Sequence, residues 1–437
     1  MRDLFLVAII LVGMLATLRY PFAGILLWTW FTCMDPHQGA FGFVTTAPLN
    51  LIIAIVTILS WAFSKEPKLP RFDLTHILVF AFLVWMTFNG FFAVDPSWSW
   101  PIWNITWKTI LLGLLISKFV TNKVRAHALI WTVCVSLLYY GIKGGIFTLV
   151  TGGGSHVLGP TYSQIGDNNT LALATLMVLP LINYLRSQSA NRWVSLGLLA
   201  GMALSTVSVV GSYSRGAFIA LGGLGAVAWF RARNKFVYPI AAAIVVIPIL
   251  MFMPQNYFDR LNTIKTANSD PSFHGRVVAW KVAWSYATEH FPFGDGMAGA
   301  QLPSVFNHYF PTEETHAAHS IYFQVLGDNG FIGLVLYLAI LVTALLYCSQ
   351  IRRATRGVDE LHWAYELTGM IQLSLFVFCL GGAALSMAYY DVLFINVGLL
   401  SALRTMLARS SQANSKYLVP KPLPVFASAP RQSDASE

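Results

Sequence analysis

The 437-residue chain is 56% hydrophobic, 14% aromatic and only 11% charged, with a mean hydropathy of +0.60; a soluble domain carries about 25% charged residues. This composition excludes a soluble globular enzyme and specifies a polytopic membrane protein. The formal charge of +9 lies largely in short loops and the tail, where Lys and Arg report topology and contact with anionic membrane lipid, which argues against nucleic acid as a partner.

In chain order, Met1-Arg2-Asp3 and the apolar run to Thr17 imitate a signal peptide. No small-x-small cleavage site follows, so the run reads as a retained first span. Crossing a hydrocarbon core takes about 20 helical residues. Apolar stretches that meet or approach this length lie near 4–18, 21–34, 47–63, 74–92, 102–120, 126–149, 168–185, 193–212, 214–231, 236–253, 320–348, 363–388 and 391–408. They predict an all-α polytopic integral membrane protein with about 12–13 transmembrane helices. The first two stretches are short, joined by Leu18-Arg19-Tyr20-Pro21, and read either as two tilted helices or as one span with a re-entrant piece. The transmembrane domain covers 1–409, with the long loop 254–319 inserted in it, and 410–437, with its four prolines, reads as a disordered tail.

The basic clusters Lys65/Lys68/Arg71, Lys118/Lys123/Arg125, Arg186/Arg192, Arg231/Arg233/Lys235, Arg352/Arg353/Arg356 and Arg404/Arg409/Lys416/Lys421 alternate onto one side of this span list. By the positive-inside rule that side, and the C-terminus, is cytoplasmic. The loops 35–46, 93–101, 150–167, 254–319 and 389–390 then face the opposite side, which is the periplasm if the membrane is a bacterial inner membrane. The cysteines Cys33, Cys134, Cys348 and Cys379 all lie in or beside apolar runs, so neither a disulfide framework nor a cysteine metal site is suggested. No internal repeat is evident, and no acidic residue sits at an evident bilayer midplane, which leaves little for a proton-coupled transporter.

The long loop carries its own element. From Arg276, the residues Val277, Trp280, Trp284 and Ala287 recur at helical spacing, after a cap and first turn at Asp270-Pro271-Ser272. This predicts a short amphipathic helix on the membrane surface, with its indoles at headgroup depth. Phe291-Pro292-Phe293-Gly294-Asp295-Gly296 then turns the chain.

Arg215, Arg276 and His319 stand out on the non-cytoplasmic side. Arg215 begins a span at the end where basic residues are disfavoured, between small neighbours that admit a ligand; its bland alternative is an arginine snorkelling to a lipid phosphate. Arg276, placed in the first turn of the surface helix, adds a second guanidinium suited to phosphate oxygens, or an ordinary salt bridge with Asp270 or Glu289. His316 and His319, at i and i+3, would share a helix face near Glu313 and Glu314, so a zinc or manganese site is an alternative to a general base, though no third ligand falls at a helical offset.

These residues belong to a set of short motifs: Met34-Asp35-Pro36-His37, Trp103 with Lys108, Gly166-Asp167-Asn168-Asn169, Ser214-Arg215-Gly216-Ala217, Gly275-Arg276 with Trp280, and His319-Ser320-Ile321-Tyr322-Phe323 with Gly327 and Gly330. As an ensemble they resemble the bacterial O-antigen ligase and polymerase superfamily, and within it the exosortase A-associated O-glycosylation ligases. Many members carry Asn after the histidine, where this chain has Ser320. The resemblance implies transfer of a glycan from undecaprenyl diphosphate to an acceptor hydroxyl at the outer face of the inner membrane. Arginines that stabilise the departing diphosphate can replace a divalent metal, and attack from the face opposite it predicts inversion, with no cofactor expected. Arg215 and Arg276 would hold the diphosphate and His319 would be the catalytic base. His316, Tyr322 and Trp280 join them as candidate substrate-binding residues, Tyr322 and the tryptophans either stacking on sugars or anchoring the loop. The acceptor, whether protein, lipid or polysaccharide, stays open. The rival expectations are a repeat-unit polymerase, a lipid-linked glycan transporter or flippase, and a non-catalytic assembly partner.

Overall fold

The structure, a computed structural model, describes residues 2–40, 42–66, 72–231, 235–236 and 271–417. The span read over 236–253, the early part of the long loop with Asp270, and the tail from 418 lie outside the described residues. Among the described residues there are fourteen α-helices and no strand, so the fold is all-α. They are α1 (Arg2–Arg19), α2 (Pro21–Met34), α3 (Leu49–Phe63), α4 (Leu74–Gly90), α5 (Pro96–Phe119), α6 (Lys123–Val150) and α7 (Asn168–Gln188). Then follow α8 (Arg192–Val210), α9 (Arg215–Arg231), α10 (Pro271–Glu289), α11 (Pro303–Tyr309), α12 (Ile321–Thr355), α13 (His362–Gly382) and α14 (Asp391–Tyr417). Every predicted span within the described residues coincides with a helix. Six of the helices are long and apolar enough to cross a membrane, and α2, α3 and α4 are shorter apolar helices. The last helix runs past residue 409, the boundary read from the sequence, to Tyr417.

Helix starts follow from local chemistry. Asp73, Asp95, Asn122, Asp167 and Asn191 each place a side-chain oxygen on first-turn N–H groups of α4, α5, α6, α7 and α8, satisfying donors that no helix can satisfy internally. At the N-terminus α1 and α2 form an antiparallel pair: Gly13 faces Leu27 and Thr17 faces Gly24 across the two helices. The centre of the bundle is α7, buried on every side from Thr170 to Ile182 and packed against α6, α8, α9 and α13. A helix apolar all round belongs in such a position. The first part of α14, from Asp391 to Leu403, is buried in the same way against α5.

Polar side chains gather at the two ends of the bundle. At the basic end Arg125 grips Glu66 at 2.5 and 3.1 Å, and His76 bridges Asp73 at 2.8 Å and Ser117 at 2.6 Å. Ser401 of α14 adds a hydrogen bond of 2.7 Å to Asp73, so α4, α5 and α14 are tied together there. At the other end, α12 is not one continuous span. Gly330 has φ 66° and ψ −169°, which breaks the helix after Asn329. A break inside a bundle frees carbonyls that must find donors. Trp85 Nε1 donates to the Asn329 carbonyl and Asn89 Nδ2 to that of Asp328, both at 2.7 Å. The buried Asp328 carboxylate accepts the Ala298 N–H and the Tyr389 hydroxyl, each at 2.8 Å. Into the opened backbone sits the turn after α10: Asp295 N–H donates to the Gly327 carbonyl at 2.9 Å and Gly294 N–H to Asn89 Oδ1 at 2.9 Å. Burial, then the neighbouring Asp328, pushes the Asp295 carboxyl well above the usual carboxylate range.

A Cβ at position 330 would lie 2.2 Å from the Pro292 carbonyl oxygen, at a φ that L side chains rarely adopt. Gly330→Ala should therefore destabilise the protein by about 1–3 kcal/mol, read as a lower unfolding midpoint in detergent. An unchanged midpoint would mean that the break is not required.

Candidate active site

Helix α10 begins at Pro271, so Arg276 falls in the second turn rather than the first, away from the helix N-terminus. The buried stripe also differs from the sequence reading. It runs through Val278, Ala279, Val282, Ala283, Tyr286 and Ala287, while Val277 and Trp280 are half-buried and Trp284 is exposed. The small alanines decide the register, because they let α10 approach α12 closely: Ala283 lies beside Gly327. On its other side α10 packs with α11 through Val278, Val282, Tyr286, Val305 and Phe306. The element is thus a docked cap, and its outward Trp284 meets Phe331 edge-on at 5.4 Å.

Residues 314–319 are not helical, so His316 and His319 do not share a helix face as their spacing suggested. His319 has φ 43°, in the left-handed region, immediately before the buried Ser320 at the start of α12. His316 instead packs on the backbone of α10. A Cβ at Gly275 would fall 2.6 Å from the His316 ring, so only glycine admits the imidazole there, one residue before Arg276. Phe306 flanks the same ring edge-on at 6.4 Å. Among the described residues, no group of three or more His, Cys, Asp and Glu side chains comes together in a way that could hold a metal ion.

Trp280 joins the cap to the histidine segment. Its Nε1–H donates to the Ala318 carbonyl at 2.6 Å, and its ring lies parallel to Phe323 at 5.1 Å with a 6° interplanar angle. One face and the polar edge of the indole are therefore committed within the protein, and this tryptophan anchors the loop. Tyr322 likewise turns inward, donating its hydroxyl to the Cys379 carbonyl of α13 at 3.0 Å.

Arg215 is the first residue of α9, after a turn in which Tyr213 has φ 59°. Ser214 Oγ accepts the Ala217 N–H at 3.2 Å, capping the helix that Arg215 opens. The turn is tied to the start of α7 by Asn168 Nδ2, which donates to the Ser212 carbonyl at 2.6 Å. The start of α7 also carries Asp167, whose charge acts on His319. Both α9 and α12 pack on α13, with Gly216 against Ala384 and Ile321 against Gly382, so Arg215 and His319 flank the same end of that helix. The motif Gly166-Asp167-Asn168-Asn169 carries no catalytic signature; the signal for Asp167 in the sequence is an acid opening a span on the same side as His319.

The half-buried imidazole of His319 is held below its ordinary pKa of 6.5, first by burial and then by Arg276; Asp167 acts in the opposite sense and His316 adds a small further lowering. It is therefore neutral at pH 7 and able to accept a proton. Two guanidinium groups, a neutral imidazole and a carboxylate at the mouth of a membrane bundle suit an amphiphilic anionic substrate that gives up or receives a group through proton transfer.

Comparison with known families accounts for most of the chain. Residues 1–190 match a family of unknown function (DUF5935), and residues 200–338 match the family described as O-antigen ligase. No curated protein matches the chain. The second match contains Arg215, Arg276, Trp280, His316, His319 and Tyr322, so this all-α, multi-pass membrane protein carries an O-antigen ligase domain over residues 200–338.

Proposed function

We propose that the protein is a glycan ligase of the exosortase A-associated branch, acting on undecaprenyl diphosphate-linked glycan at the periplasmic face of a bacterial inner membrane. The observation that carries this reading is the placement of half-buried His319 toward the end of α13 that Arg215 also flanks, in a segment fastened through Trp280 and His316 to the helix that carries Arg276. Ser320, in place of the Asn found in many relatives, supports the choice of branch.

In the proposed reaction the acceptor hydroxyl oxygen attacks the anomeric carbon from the face opposite the diphosphate. The bond between that carbon and the diphosphate oxygen breaks, its electron pair leaves with undecaprenyl diphosphate, and the hydroxyl proton passes to His319. The product is inverted at the anomeric carbon. Arg215 and Arg276 would meet charge that grows on the departing diphosphate, so they stabilise the transition state more than the ground state, a task that a divalent cation performs elsewhere. The acceptor is a protein, lipid or polysaccharide hydroxyl. A base and an anion clamp gathered toward one end of the bundle, His319 with Arg215 and Arg276, favour group transfer over transport.

The test is transfer from a labelled undecaprenyl diphosphate oligosaccharide by purified protein in chelator, with envelope extract supplying acceptor. His319→Ala, Arg215→Ala and Arg276→Ala should each reduce label transfer by at least about 100-fold while leaving the protein in the membrane. Wild-type rates in the His319 variant would sink the mechanism, and a ladder of glycan lengths without acceptor would identify a polymerase.

The pH dependence follows with a definite sign. The base is competent only when neutral, so activity should be flat above pH 6.5 and fall as pH drops through a value below it. A kcat/KM profile with its acid limb above pH 7 would contradict the assignment of His319.

A further inference from the structure

We infer that Trp280 is a positioning residue that fixes the His319 backbone relative to Arg276, an inference that rests on the ligase reading of the site. Arg276 and Trp280 are four residues apart on α10 and so lie on one face of that helix. That face is fastened to the histidine segment on both sides of His319. The indole N–H holds the Ala318 carbonyl at 2.6 Å, just before it, and the ring stacks on Phe323 at 5.1 Å, just after it. A further contact, His316 seated on Gly275, closes the same seam beside Arg276. Between these grips His319 is held at φ 43°, a backbone conformation that a non-glycine residue leaves readily when its surroundings relax.

The consequence is chemical as well as structural. With α10 and the 316–323 segment joined, the diphosphate-binding guanidinium and the base move as one unit. Releasing the Ala318 carbonyl would let the imidazole swing toward water and away from Arg276. His319 would then lose burial and the nearby Arg276, the two largest influences that keep it neutral.

The experiment uses the full chain in lipid nanodiscs and compares wild type with Trp280→Phe, which keeps a ring on Phe323 but removes the donor. Trp284→Phe, at the exposed tryptophan one turn along, is the control. Nitrogen-labelled histidine spectra would follow the ten imidazoles, with His319 assigned by its loss in His319→Ala. Trp280→Phe should move the His319 titration up toward 6.5 and lower kcat by roughly 10- to 100-fold, with donor KM changed by less than about twofold. Phe323→Leu, which keeps the indole donor and removes its stacking partner, should move the titration the same way by a smaller amount. Unchanged titration and kcat in Trp280→Phe would overturn the inference. So would a raised donor KM with the titration unmoved, which would make Trp280 a sugar-binding surface. If wild-type protein transfers no glycan, the ligase reading fails, while the titration still decides whether Trp280 positions the imidazole.

Discussion

The structure is organised by one constraint: hydrocarbon offers no partner to a polar group, so charge and irregular backbone must be expelled to the ends of the bundle or satisfied within it. The break at Gly330 is the place where this chain takes the second course. Carbonyls released by the broken helix are taken up by Trp85 and Asn89, and the Asp328 carboxylate by Ala298 and Tyr389. Because Gly294, Asp295 and Ala298 supply part of that network, the polar repair inside the bundle is also the mount of the cap outside it. The position of α10, and with it Arg276 and Trp280, follows from a defect in α12.

On the proposed ligase reading, the same constraint places the chemistry. A substrate whose lipid anchor lies in the bilayer presents its diphosphate at the depth where helices begin and end. Fixed guanidinium groups have most effect there, because water is scarce and counter-charge is poorly screened. Arg215 enters from the start of one span and Arg276 from the docked cap, while His319 precedes another span. Three elements distant in sequence are thus held by α13 and by the seam between α10 and the histidine segment, which suits a site that must not reorganise during bond breaking.

Much of this was legible in the residues. Long apolar runs and basic clusters located the spans and separated the two ends, since bilayer thickness and loop charge act on composition directly. The cap helix was legible from Asp270-Pro271-Ser272 and its apolar periodicity, but its buried face was not. Of the predicted stripe Val277, Trp280, Trp284 and Ala287, only Ala287 is fully buried; close packing selected Val278, Ala279, Val282 and Ala283 in place of the large tryptophans. Spacing also placed His316 and His319 on one helix face, and tertiary contact overrode it by seating His316 on Gly275. The break at Gly330 has a local mark, Gly327-Asp328-Asn329-Gly330 inside an apolar run, but the partners that satisfy it, Trp85, Asn89, Ala298 and Tyr389, lie far along the chain, where no local window reaches. Arg215 is legible because a basic residue at that end of a span is rare, Arg276 because it sits on the helix inside the long loop, and His319 because it precedes a span; their relative placement depends on long-range packing, which no local pattern contains.

The measurement that tests this account most directly is a cryo-electron microscopy structure of the protein in nanodiscs with undecaprenyl diphosphate. The account predicts diphosphate density in contact with the guanidinium groups of Arg215 and Arg276, with the His319 imidazole facing the leaving-group oxygen across a space that would admit a sugar. Diphosphate bound elsewhere, or bound at this end without either arginine, would contradict it.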